Sequence, residues 1–484
     1  MLERPEFDAL DDLAEVDAAI RRAYQRRADG YAPPEAPALA APPSLQAKRN
    51  AMLLVRGFLG LIIIGMLLLR LPLAGTERPL TWSEALFTST SAVTVTGLGV
   101  VTPALELSLF GQIVVLLLME IGGVGFITAA LVLFVLIGRR IGVAERMLLQ
   151  QTLGVFQAAR IGRLSLAILG ATLLIQLLGA ALLWLRWFPA LGAGRAAYLA
   201  LFHAVSAFCN AGFDLYSGAD QPLFGFGTDP WTLLVLMALI IIGGLGVIVV
   251  SDLVTFPFDR RLTVHTRLTV LISLLLWALG TALLAMDHWF GGAALAVLAP
   301  WERWWVALFS SISARTAGLT IIPLDQLSQA NGLVLMLLMF IGGAPASMAG
   351  GITISTIAVI VTSVLSTVRG LPQAVVFGRV FPLETIAKAA AIITVSTLLC
   401  FITTLALLIL RPGPLLPVAF EVVSAFSNTG YSVGLTTQLS DVGRLIIAFV
   451  MFWGRLGPLT LVILLAQREQ PSLVRYPAER VVMG

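Results

Sequence analysis

Apolar residues in this chain fall into eight long runs, set in pairs, with a short mixed segment inside each pair. The first member of each pair covers residues 51–69, 164–185, 268–286 and 386–410. The second covers 111–137, 231–256, 331–367 and 443–466. A helix that crosses a bilayer needs about 20 apolar residues, so both sets are long enough to span. The segments between them, about ten residues of recognisable pattern, are too short to cross and predict re-entrant helices.

Those segments repeat. They read A-L-F-T-S-T-S-A-V-T-V-T-G-L from Ala85, A-L-F-H-A-V-S-A-F-C-N-A-G-F from Ala200, A-L-F-S-S-I-S-A-R-T-A-G-L from Ala307 and A-F-E-V-V-S-A-F-S-N-T-G-Y from Ala419. They end on Gly97, Gly212, Gly318 and Gly430, and the third is one residue shorter between its Phe and its Gly. The second runs share a mark of their own: I-G-G-V-G from Ile121, I-G-G-L-G from Ile242, I-G-G-A-P from Ile341 and W-G-R-L-G from Trp453. A period of 106 to 115 residues is too long for a solenoid and suits a membrane module repeated in sequence.

The pattern predicts an all-α polytopic membrane protein of four helix–pore-loop–helix repeats, with pseudo-fourfold symmetry around one ion pore. That is eight spanning helices plus four re-entrant pore helices. The units are residues 48–138, 139–256, 257–367 and 368–484, after a segment 1–47. That segment is acidic at its start, carries a helical period from Leu10 to Tyr24, and ends in a Pro/Ala-rich linker. It has no apolar core run and does not read as a signal peptide.

Charge orients the scheme. With the N-terminus inside, the inner near-membrane segments carry sixteen Lys or Arg residues and the outer loops seven. This agrees with the positive-inside rule and puts both termini in the cytoplasm. Composition fits: 58% of the 484 residues are hydrophobic and only 12% charged, for a mean hydropathy of +0.94. No soluble core of this size could hide so much apolar surface. Cys209 and Cys400 lie in apolar stretches and indicate neither a disulfide framework nor a metal cluster.

Irregular backbone at membrane depth persists only where protein buries it or water lines it. Four such loops meeting on one axis could replace a cation's hydration shell with main-chain carbonyls. The candidate filter is therefore Val95, Thr96 and Gly97; Asn210, Ala211 and Gly212; Thr316, Ala317 and Gly318; and Asn428, Thr429 and Gly430. The alternative for glycines in membrane helices is close packing. It suits the paired glycines of the second runs better than these four, which follow polar stretches.

At these residues the chain resembles the Trk/Ktr/HKT superfamily of cation transporters, the bacterial KtrB type above all. The similarity runs over about residues 50–484, and T-V-T-G-L, N-A-G-F, R-T-A-G-L and N-T-G-Y match that family's four filter sequences. The resemblance implies potassium as the transported ion, with glycine at Gly97 the potassium-selective state. A sodium or poorly selective transporter of the same fold is the alternative. It further implies a homodimer in the bacterial inner membrane, on a cytosolic nucleotide-binding ring of the KtrA/TrkA type. No cofactor is expected in this chain, and no metal other than the transported cation.

The run 331–367 is too long for one simple helix, and Pro345 with four nearby glycines would unwind its middle. The residues concerned are Gly342, Gly343, Ala344, Pro345, Ala346, Ser347, Gly350 and Gly351. A packed kink is one reading; the resemblance implies an intramembrane gate. Arg455 sits in an apolar run, where an arginine costs roughly 2.5–3.5 kcal/mol and needs a partner. That partner is expected to be the gate loop or the equally unexpected Glu120. Arg315 is expected to brace the filter loops. Asp214 either concentrates cations at the outer mouth or serves a turn, and His203, His265 and His288 have no ligand spacing.

Other functions lack their signatures. The only lysines, Lys48 and Lys388, sit in no G-x-x-x-x-G-K-[ST] phosphate loop. No H-E-x-x-H or nucleophile–base arrangement suggests an enzyme, and nothing suggests a nucleic-acid partner. Alternating-access carriers usually show two related halves with one broken helix each, against four units here.

Overall fold

The structure, a computed structural model, describes residues 45–124, 161–217 and 221–457. The amphipathic period of residues 10–24 and the ending R-Y-P-A-E-R-V-V-M-G lie outside the described residues.

The helices follow one another in a fixed grammar. The first unit has α1 (Leu45–Arg70), α2 (Trp82–Val93) and α3 (Leu109–Val124). The second has α4 (Ile161–Leu191), α5 (Ala193–Cys209) and α6 (Pro230–Asp259). The third has α7 (Val264–Ala285), α8 (Pro300–Ser313) and then α9 (Gln329–Phe340) and α10 (Ile354–Val368), divided by an irregular loop. The fourth has α11 (Leu383–Leu410), α12 (Leu415–Ser427) and α13 (Asp441–Leu456). A short hairpin lies between α10 and α11, Val376 opposite Arg379, with Phe377 and Gly378 both at positive φ as a type I′ turn requires.

Local chemistry sets the starts. Thr81 and Glu84 form a capping box on α2. The side chains of Asp229, Thr263, Ser328 and Ser440 accept from the first turns of α6, α7, α9 and α13.

Among the described residues, five helices are long and apolar enough to cross a membrane: α1, α4, α6, α7 and α11. This is fewer than the eight expected. The description of the first unit's second run stops at α3 and that of the fourth at α13, and the third is cut in two by its Pro/Gly segment, leaving α9 and α10 too short.

Packing is inverted relative to a soluble protein. The first helices keep large apolar residues exposed, among them Ile64, Leu67, Leu174, Leu177, Leu275 and Phe401. The short helices α2, α5, α8 and α12 are buried with their hydroxyls: Ser89, Ser91, Ser206, Ser311, Ser313 and Ser424 show no exposure. Lipid tolerates the apolar rim, and several of the buried hydroxyls find main-chain partners inside. Ser89 donates to the Ile62 carbonyl on α1 at 2.7 Å, and Ser311 to the Trp277 carbonyl on α7 at 3.1 Å.

Candidate ion-binding site at the four loops

Each short helix ends in a turn that brings its glycine inward. In three loops the amide just before the glycine bonds to a carbonyl five residues back: Thr96 to Ser91, Ala211 to Ser206 and Thr429 to Ser424, at 2.8, 2.8 and 3.0 Å. In the shortened third loop Ala317 and Gly318 both bond to Ser313, at 2.9 and 3.1 Å, which absorbs the missing residue. These four serines recur at the same place in every repeat, a signal in the alignment that reading for glycines alone passes over.

The loops share an unusual backbone. Val95, Asn210, Thr316 and Asn428 have φ of +56°, +55°, +78° and +53°. The glycines two residues on have +85°, +69°, +72° and +94°. Glycine visits this region freely, whereas a β-branched residue there stores strain of order 1–3 kcal/mol. Val95 and Thr316 carry that strain, and around Val95 the neighbouring side chains hold the loop in place. In the first loop the Thr94 and Thr96 hydroxyls bond at 2.7 Å, and Asn428 reaches across from the fourth repeat to donate to the Thr96 hydroxyl at 2.9 Å.

The glycines close into a cycle. A methyl on Gly97 would meet the Ala211 carbonyl oxygen at 2.5 Å, and one on Gly212 the Ala317 and Thr96 oxygens, both at 3.2 Å. A methyl on Gly318 would overlap the Thr429 carbonyl, and one on Gly430 the Thr96 carbonyl. Each loop thus presents the carbonyl just before its glycine to a neighbouring loop's glycine, and the fourth returns to the first. All twelve predicted filter residues lie in these loops.

The paired glycines of the second helices serve packing. A Cβ on Gly122, Gly243 or Gly454 would run into the carbonyl of Val93, Phe208 or Phe426, each near the C-terminal end of its own unit's short helix. In the third unit the arrangement differs. Arg315 donates to the Ile341 carbonyl at 3.4 Å and the Gly342 carbonyl at 2.6 Å, so it anchors the start of the irregular loop rather than bracing a neighbouring filter loop.

That loop, residues 341–353, crosses from the second repeat to the fourth. Helix α6 breaks at Gly246, whose φ of +77° and ψ of +155° only glycine adopts readily. The break frees main-chain groups that the loop takes up. Ala344 and Met348 donate to the carbonyls of Gly244 and Gly243 at 3.0 and 3.1 Å, and Val247 donates to the Ala346 carbonyl at 3.3 Å. At its other end Gly350 lies against Asn428 and Gly351 against Ser427. Arg455 then donates to the Met348 carbonyl at 2.5 Å and to Gly122 and Gly123 at 2.6 and 3.1 Å.

Of the two partners expected for Arg455, the loop is the one in contact. Glu120 turns instead toward α4 and α5, where Gln176 donates to it at 2.8 Å and the Cys209 thiol at 3.3 Å. Carbonyl oxygens meet the planar, five-donor guanidinium without a second buried charge. Asp214 holds a turn, accepting from the amides of Tyr216 and Ser217 at 3.0 and 2.7 Å.

His203, without ligand spacing in the sequence, holds the chain after the second loop. Its Nδ1 bonds to the Leu199 carbonyl at 2.7 Å and its Nε2 to the Leu215 amide at 3.3 Å, pinning the chain just beyond Gly212. Glu421, buried on α12, accepts from the Val433 and Leu435 amides at 3.2 Å and from the Thr436 hydroxyl at 2.6 Å. Neither role has a spacing signature in the sequence.

A family model for TrkH, described as a cation transport protein, matches residues 42–476. The chain belongs to the TrkH family. Among its relatives are Ktr system potassium uptake protein B of Bacillus subtilis, 37% identical over 88% of this chain and 95% of that protein, and its namesake from Vibrio alginolyticus, 36% identical over 89% and 94%. The potassium/sodium uptake protein NtpJ of Enterococcus hirae is 33% identical over 89% and 96%. The crystal structure of the potassium transporter TrkH from Vibrio parahaemolyticus shares the fold, with a TM-score of 0.68 and 21% identity, over 87% of this chain and 86% of that one. These TrkH-family relatives are named for ion uptake, and this chain is a transporter rather than an enzyme.

Proposed function

We propose that this chain is the ion-conducting membrane subunit of a bacterial potassium uptake system. Potassium would pass through the ring of carbonyls at Thr96, Ala211, Ala317 and Thr429. The observation that carries this reading is the closed cycle of glycines and carbonyls, in which no side chain fits between neighbouring loops. Main-chain oxygens fixed around an axis can take the place of a cation's water, and the names of the relatives favour potassium.

The segment 341–353 acts as the gate in this proposal. It lies against the loops on the side of Ser427 and Asn428, and Arg455 fastens it. A cytosolic nucleotide-binding partner of the KtrA/TrkA type would move it, and two copies of this chain would sit on that partner. The units 48–138, 139–256, 257–367 and 368–484 are the four repeats of this pore, with both termini cytoplasmic.

A second reading, transport of sodium alongside potassium, is favoured by the likeness to a potassium/sodium uptake protein. Growth of an uptake-deficient bacterial strain at limiting potassium, with and without a regulatory partner, tests the proposal. Rescue is expected; failure to rescue by well-expressed, membrane-inserted protein overturns it. Competition of rubidium uptake by sodium separates the two readings.

A further inference from the structure

The third loop differs mechanically from the other three. In the position three residues before the glycine of the other loops stand Thr94, Cys209 and Ser427. Thr94 and Ser427 bond to their own loop, to the Thr96 and Thr429 hydroxyls at 2.7 Å each, and Cys209 bonds to Glu120. The third loop has Arg315 there, bound to the first carbonyls of the segment proposed as the gate. Movement of that segment therefore pulls on one filter loop, the one that is also a residue short.

Two tyrosine hydroxyls hold the same loop, one at its outer segment and one chiefly through the helix α8 that leads into it. Tyr431, directly after the fourth glycine, donates to the Ser310 carbonyl at 3.1 Å and lies 3.5 Å from the Leu319 carbonyl. Tyr216, four residues after the second glycine, donates to the Thr320 carbonyl at 2.5 Å. Both side chains are buried. Tyr216 is itself held, stacked on His203 with centroids 5.6 Å apart and bonded through its amide to Asp214. Leu319 and Thr320 are the two residues after Gly318, so the hydroxyls act where the loop leaves the ring.

We propose that Tyr216 and Tyr431 form a clamp that keeps the third loop's carbonyl in the ring while Arg315 transmits gate movement, making them positioning residues for ion selectivity. This rests on the filter-and-gate reading given above. The clamp sets which cation the ring accepts. Without it, the Ala317 carbonyl drifts and a ring tuned to one ion radius admits others.

The test is uptake of rubidium and of sodium tracers by proteoliposomes holding the full chain, comparing Tyr216→Phe, Tyr431→Phe and the double variant. Each change removes one hydroxyl and keeps the ring that fills the space. Tyr198→Phe is the matched control, since Tyr198 donates to Gln112 away from the loops, at 2.7 Å. The sodium-to-rubidium ratio is expected to rise about fivefold in the double variant, the scale of a lost neutral hydrogen bond, and to stay put in the control. An unchanged ratio, with only the thermal midpoint lowered, overturns the clamp and leaves the transport reading standing. Wild-type vesicles that take up no rubidium overturn both.

Discussion

Arg455 donates to the carbonyl of Met348 across 2.5 Å and, through its other terminal nitrogen, to Gly122 across 2.6 Å. One cation in the fourth repeat thereby ties the third repeat's irregular loop to the first repeat's second helix. A hydrogen bond from a charged group contributes about 1.5–3 kcal/mol, and about 1.4 kcal/mol is a tenfold shift in an equilibrium. Arg455→Gln should therefore raise rubidium uptake about tenfold if this loop is the gate. Equal or lower uptake by correctly inserted protein counts against the role.

Deleting residues 344–351 removes the contacts to Gly243 and Gly244 together with the Met348 acceptor. Flux should rise without help from a regulatory partner. Gly246→Ala gives a milder version: its Cβ would lie 2.7 Å from the Pro345 carbonyl in a backbone state closed to alanine. It should lift the loop and raise flux less than the deletion does. Tracer uptake that falls in both variants, with the protein folded, would remove the loop from gating.

Gly97→Ser is expected to relax selectivity. A side chain at φ +85° is strained, and its Cβ would press on the Ala211 carbonyl at 2.5 Å. Left-handed backbone costs a non-glycine residue about 1–2 kcal/mol, some of it relieved by displacing that oxygen from the ring. Sodium should then compete with rubidium more strongly than in the wild type. A variant that keeps wild-type competition at wild-type flux would show that the ring does not set selectivity.

Acid should loosen the outer end of the first short helix. The Arg78 guanidinium, 2.8 and 2.9 Å from the Glu84 carboxylate, and the Thr81 amide and hydroxyl hold that carboxyl at about 2, below its ordinary 4.5. Because the folded value is the lower one, the stabilisation is complete above pH 4.5 and is lost as pH falls toward 2. The pair is partly exposed, so the effect is modest and screened by salt. Thermal unfolding in detergent at pH 6 and pH 3 should show a drop that shrinks in Glu84→Gln; an equal drop in both would assign it elsewhere.

Much of this was legible before any coordinates. The recurrence of A-L-F or A-F before a polar stretch and a glycine marked the four loops, because membrane depth leaves few uses for bare polar backbone. Pro345 among glycines marked the break between α9 and α10, since proline removes a helical donor and glycine disfavours the helix. The sequence offered two partners for Arg455, the irregular loop and Glu120, but not the choice between them: the Met348 carbonyl that it reaches has no sequence signature. For the same reason Arg315 was assigned to the filter loops, when the carbonyls it reaches belong to Ile341 and Gly342.

By itself, the sequence determined the long apolar runs and the four glycines at the ends of the short helices, because each follows from hydropathy or backbone permission that neighbouring residues alone decide. Tertiary structure decided which carbonyl faces which glycine, that α6 breaks at Gly246 to receive the loop, and that Tyr216 and Tyr431 meet on the third loop. Those are contacts between residues about a hundred positions apart in the chain, set by how the helices pack and by where each freed main-chain group finds its partner.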